Sequence, residues 1–112
     1  MAELGKILAQ KEFAVVDVSE ELYVAPTGQL TKVESIFVCN KDTVAHTFDI
    51  SVDKTGDNPL APEPKDYLYY HYPIASYTTV AISVAIRMES GDRMEGASDS
   101  RHVIFNVYGT EY

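Results

Sequence analysis

From residue 13 onward hydrophobicity repeats every second residue, and no other feature constrains the fold as strongly. The clearest stretch places Val44, His46, Phe48, Ile50 and Val52 on one face and Ala45, Thr47, Asp49 and Ser51 on the other. Successive side chains of an extended chain point to opposite sides, so this pattern describes a β-strand with one dry face. A helix would need apolar residues three and four apart instead.

The same reading extends along the chain. Residues 13–18 and 21–24 are short strand candidates, followed by Pro26, Thr27 and Gly28, which suit a β-turn. In residues 29–40, Val33, Ser35, Phe37 and Cys39 alternate with Leu30, Glu34, Ile36 and Val38, and residues 40–43 suit a hairpin turn into the next strand. Residues 54–65 hold three prolines and form the one long loop, separating two hairpin-like halves. Residues 67–74 follow as a strand. Residues 78–87 are long enough for a helix, but Val80, Ile82, Val84 and Ile86 alternate with Thr79, Ala81, Ser83 and Ala85, which favours a strand. Turns at 89–92 and 98–100 flank a strand at 93–97, and 103–108 closes the chain. About eight strands at this spacing predict an all-β, antiparallel sandwich of jelly-roll type spanning residues 13–112.

Residues 1–12 read differently. Leu4, Ile7 and Leu8 have helical spacing, but so short a helix is marginal alone. An extended or short-helical N-terminal arm is expected, held by a neighbouring subunit.

Composition narrows the function. A chain of 112 residues supports one hydrophobic core without disulfides or metals. The single cysteine, Cys39, excludes an internal disulfide framework and fits cytoplasmic synthesis. Alternation places Cys39 with Val33 and Phe37 as a small buried hydrophobe. The formal charge of −8 argues against nucleic acid as a partner, since a polyanion would be repelled. No apolar run approaches the ~18 residues of a membrane span, and no signal-peptide core is seen.

Chemistry is sparse. His46 lies on an apolar strand face and reads as a hydrogen-bonded core or interface histidine; His71 sits among tyrosines, and His102 precedes the last strand. No HExxH or paired histidine motif points to a metal. Residues 53–58, DKTGDN, lack the distal glutamate of a calcium loop and read as a solvated turn. No serine has a nucleophile-elbow setting. The expectation is a non-enzymatic protein with no cofactor.

Tyrosine supplies the best non-catalytic clue. The segment YLYYHYPI, residues 67–74, holds four of the eight tyrosines. As a strand it sends Tyr67, Tyr69 and His71 one way and Leu68, Tyr70, Tyr72 and Ile74 the other. One set closes the core, and the other is left for a second protein. Plain core-and-surface packing accounts for the residues equally well, and stacking on sugar rings ranks below both.

The order of these segments resembles a family of small bacteriophage virion proteins. LYVAPTG (22–28) resembles an LYTVPAG-type opening, VESIFVCN (33–40) a VxSIxVCN strand, and HTFDISV (46–52) an ATFRIAV strand. YLYYHYPI is similar to YIYYDxPI, GDRMEGAS (91–98) to GDVVRVYAS, and FNVYGTE (105–111) to a closing SFNLFGxE. The resemblance implies a β-sandwich built into a phage particle, with no catalytic residues to carry over. The leading expectation is a capsid decoration or cement protein that binds the major capsid protein across subunit seams. A tail, baseplate or fibre module is the alternative, and a carbohydrate-binding sandwich a more distant one. A homo-oligomer is expected, a trimer suiting three-fold shell positions. The contact residues would be Leu4, Ile7 and Leu8 of the arm with Tyr67, Tyr69 and His71.

Overall fold

The alternating segments fold as strands. The computed structural model describes residues 6–12, 16–54 and 66–112. Its strands are β1 (Lys6–Glu12), β2 (Glu20–Val24), β3 (Thr31–Asn40), β4 (His46–Asp53), β5 (Tyr67–Ile74), β6 (Thr78–Met88), β7 (Arg93–Ser98) and β8 (Val103–Glu111). All pairings are antiparallel, and the strands form two four-stranded sheets, β1-β8-β3-β6 and β2-β7-β4-β5. The expected all-β antiparallel sandwich is the fold.

The pairing is mirrored along the chain. β4 pairs with β5, β3 with β6, β2 with β7 and β1 with β8. The chain doubles back at β4–β5, and the resulting ribbon wraps so that successive pairs fall in alternate sheets. The β3–β8 and β4–β7 ladders then join neighbouring turns of the ribbon, which is jelly-roll topology.

This wrapping corrects several local expectations. Among the described strands only β4 and β5 are both consecutive and hydrogen-bonded to each other. Residues 40–43 therefore carry the chain from one sheet to the other and make no hairpin. The strands flanking the proline-rich segment, far from belonging to separate halves, pair directly; residues 55–65 themselves lie outside the described residues. Of the strand expected at 13–18, residues 13–15 lie outside the described residues and Val16, Asp17 and Val18 form a turn and bend, with Asp17 at φ 58°. Lys6–Glu12 is instead the strand. It pairs antiparallel with β8 of the same chain, and the helical spacing expected for this segment yields to that edge pairing.

The core lies between the sheets. Val33, Ile36 and Val38 of β3, Phe48 and Ile50 of β4, Met94 of β7, and Val103, Phe105 and Val107 of β8 are fully or almost fully buried. Phe48 and Phe105 meet edge to face across the sheets at 6.0 Å. Such pairs contribute about 0.5–1.5 kcal/mol beyond their burial.

Alternation fails where a bulge interrupts it. The register of β3 shifts between Val33 and Ser35 against both neighbours. One extra residue reverses every following side chain. Val33, Ile36 and Val38 consequently all face the core, while Phe37 turns outward and packs against Tyr108 at 5.5 Å. Cys39 shares Phe37's parity and is half-buried on that outer face, not a core residue.

The tight turns follow their residues. Gln29 N–H donates to the Pro26 carbonyl at 3.2 Å, with Gly28 at φ 80° in the third position of the turn. Asp92 N–H donates to the Glu89 carbonyl at 2.9 Å, with Gly91 at φ 85°. Positive φ at that position suits glycine.

Candidate functional site

β5 is the outer strand of its sheet, and its path is irregular. Its register against β4 shifts between Phe48 and Ile50, and again between Ile50 and Ser51. His71 adopts a left-handed φ of 49°, and its N–H donates to Asp49 Oδ1 at 2.6 Å. The same carboxylate oxygen lies 3.5 Å from His71 Nδ1. Asp49 therefore holds a backbone conformation that few residues other than glycine adopt cheaply.

These irregularities redistribute the tyrosines. Tyr69 and Tyr72 both reach Phe48, at 6.0 and 5.5 Å, and touch each other at 5.2 Å. Tyr67 instead pairs with Tyr70 at 4.8 Å, and Tyr70 lies against His71 at 4.0 Å. The expected grouping of Tyr67 with Tyr69 and His71 is thus broken: Tyr69 joins Tyr72 beside the core, and Tyr67 joins Tyr70 and His71. Leu68, Tyr70 and Tyr72 are 46%, 60% and 43% exposed along this edge.

A buried acidic group lies next to Tyr67. Tyr67 is the cross-strand partner of Ser51, which in turn pairs with Glu95 of β7. Ser51, Asp53 and Glu95 are all fully or almost fully buried. Asp53, expected in a solvated turn, is the last residue of β4 and has no exposed surface. Burial, then the adjoining carboxyls of Glu95 and Asp66, push the Asp53 carboxyl up to about 8. The charge on this side is partly offset by Arg93, whose Nε lies 4.0 Å from Glu95 Oε1. Burial, followed by Asp49 and other neighbours, also raises the Tyr67 phenol. The arrangement can share a proton between carboxyls.

The other singled-out residues lie elsewhere. Ile7 is exposed on β1, while Leu8 packs against the core from the same strand; Leu4 lies outside the described residues. β1 adjoins β2 at one side of the sandwich, and β5 adjoins β6 at the other. Ile7 and Leu8 are therefore not brought together with Tyr67, Tyr69 and His71. Deleting residues 2–12 would remove an edge strand and not merely an arm.

His46 is half-buried between two aspartates, with Nε2 2.8 Å from Asp42 Oδ2 and Nδ1 3.1 Å from Asp99 Oδ1. The His46 contact, then the Thr43 N–H, hold the Asp42 carboxyl below its usual range. Among the described residues no group of three or more His, Cys, Asp or Glu is placed to hold a metal ion. A shallow depression of about 250 Å³ is lined by Lys54, Arg87, Glu89 and Asp92, two cations facing two anions.

Sequence reasoning missed the Asp53–Glu95 group, because the two residues lie on strands far apart in the chain. The one available signal was Glu95 in an otherwise small and apolar segment, MEGAS. Compared with family models, with curated proteins and with solved structures, the chain matches none.

Proposed function

We propose that this protein is a non-enzymatic structural component of a bacteriophage particle, and specifically a decoration or cement protein of the capsid. The observation that carries the binding role is the exposed strip of Leu68, Tyr70 and Tyr72 on an outer strand. These three residues carry no charge, on a chain of formal charge −8. Tyrosines suit such a contact because they bury a large ring and keep the hydroxyl hydrated.

The ordered resemblance of residues 22–111 to small virion proteins supplies the particle. Jelly rolls also serve as capsid and lectin domains, a likeness of architecture that by itself assigns no function. A cement protein would bind the assembled shell, across seams of the major capsid protein, and not the free subunits. It would stabilise the shell by mass action.

Copy number per purified particle, measured by quantitative mass spectrometry against the major shell protein, tests this reading. A ratio matching the shell lattice supports a decoration protein. A ratio matching tail components moves the protein to the tail, baseplate or fibre. Absence from the particle ends the virion reading and makes glycan binding the next experiment.

A further inference from the structure

Each of the two sheets has two outer strands, and three of the four carry features that discourage pairing with another chain. β1 is charged at Lys6, Lys11 and Glu12, and its register is broken between Ile7 and Ala9. β2 has five residues, two of them glutamates, and a register shift between Glu21 and Tyr23. β5 contains Pro73 and the left-handed His71. Charge, shortness, bulges and proline are the devices by which soluble proteins protect sheet edges.

β6 is the exception. It is the longest strand, at eleven residues, and Arg87 is its single charged residue. Its register shift lies toward one end, between the partners Ile86 and Ser83, so residues 78–83 form a regular ladder on β3. Among the described residues no strand pairs with its outer edge. Thr79, Ala81 and Ser83 are exposed and small, while Val80 and Val84 are only partly buried. An edge of this length, β-propensity and low charge is a template for another strand.

We propose that β6 is a self-association seam, through which two copies pair antiparallel and merge their four-stranded sheets into one of eight strands. Identical antiparallel strands are self-complementary about a two-fold axis, so one edge serves both copies. Charge selects the occupant. Copies with a formal charge of −8 repel each other broadly, yet neither β6 nor the adjoining β5 carries a carboxylate. The edge strands of the opposite side, β1 and β2, carry Glu12, Glu20 and Glu21, so β6 offers a second copy the edge with fewer carboxylates. Pairing also completes the burial of Val80 and Val84. The inference needs only the edge, and stands whether or not the protein belongs to a particle.

Sedimentation equilibrium over a wide concentration range, on the full chain and on an Ala81→Lys/Ser83→Lys double variant, tests the seam. The expected result is a wild-type mass rising with concentration from 12.4 kDa to twice that value. The variant should remain at 12.4 kDa, with at least tenfold weaker association and an unchanged circular dichroism spectrum. A wild type that stays monomeric, a trimer, or a variant that dimerises as well as the wild type would each overturn the proposal. Should the variant misfold, hydrogen exchange on the wild type decides. Amides of residues 78–83 should gain protection on concentration while those of β1 do not, and equal behaviour of both edges sinks the seam.

Discussion

The side-chain amide of Asn40 donates to the Ile74 carbonyl at 3.3 Å, joining the end of β3 in one sheet to the end of β5 in the other. The same nitrogen reaches the carbonyls of Val44 and Ala75 at 2.9 and 3.2 Å, and Oδ1 accepts the Asp42 N–H at 2.9 Å. The Tyr77 N–H donates to the Asp42 carbonyl at 3.3 Å. One fully buried amide thus organises two chain crossings between the sheets. Asn40→Ala should cost about 1–3 kcal/mol, since the buried Ile74 carbonyl and two part-buried carbonyls lose their donor at once. Asn40→Asp, which places a carboxylate against those carbonyls, should destabilise at least as much at pH 7. Urea unfolding midpoints of the three proteins measure both effects.

Asp53 makes stability depend on pH in the unusual direction for a carboxylate. Its folded-state value, about 8, lies above the ordinary 3.8, so the folded protein holds the proton more tightly. Its contribution is therefore fully present below about pH 4 and is lost as pH rises toward 8. The facing groups are Glu95 and Arg93 on β7 and Asp66 beside β5. Asp53→Asn should be more stable than wild type at pH 8 and show little gain at pH 4. Urea unfolding of both proteins at the two pH values isolates this difference from the other carboxylates. An equal gain at both would show that the shared proton is not the cause.

Tyr23 ties β2 of one sheet to the other sheet through two contacts. Its hydroxyl lies 2.8 Å from Thr31 Oγ1 and donates to the Glu111 carboxylate. Lys6, 2.5 Å from Glu111, and then Tyr23 hold that carboxyl below its usual range. Burial and the Glu111 hydrogen bond push the Tyr23 phenol up to about 12. Its raised value means that its stabilisation persists below pH 10 and is lost as pH climbs through 12. Absorbance at 295 nm should show late-ionising tyrosine, and Tyr23→Phe should remove the phase near pH 12 while the raised Tyr67 phenol remains. The same substitution should cost about 1–2 kcal/mol by leaving buried Thr31 without its partner.

Gly109 and Gly28 should respond differently to alanine. Gly109 lies on β8 between β1 and β3, where an added Cβ would collide with the Lys32 carbonyl and crowd Leu8 and the Val33 backbone. The β3 backbone at Lys32 and Val33 cannot give way as the Leu8 side chain can, so Gly109→Ala should cost more than about 2 kcal/mol. Gly28 faces open space, and only its φ of 80° resists a side chain. Gly28→Ala should therefore cost about 1 kcal/mol. Paired thermal melts, with circular dichroism as the signal, test the ranking.

The particle reading and the strand-edge reading rest on different residues, and the sequence exposed them unequally. YLYYHYPI was conspicuous as an aromatic cluster, but which of its rings face outward depends on bulges that are formed against β4. That β6 has no outer neighbour among the described residues was not visible at all. Its alternation is that of any half-buried strand, and an edge is defined by the absence of a neighbour.

What the sequence determined alone is local. Period two fixed extended backbone for most of the chain, because side chains of a strand must point alternately in and out of a sheet. Pro26–Gly28 and Glu89–Asp92 fixed their turns, because φ is set within the residue itself. Partner choice belongs to the tertiary structure. Backbone hydrogen bonds are identical for every strand, so the pattern in β3 fits a hairpin with β4 as well as the actual ladders with β6 and β8. Packing of two sheets around Phe48 and Phe105 decides between them. The same packing inserts the bulge that turns Phe37 outward, buries Asp53 with Glu95, and draws Lys6–Glu12 into a strand against β8.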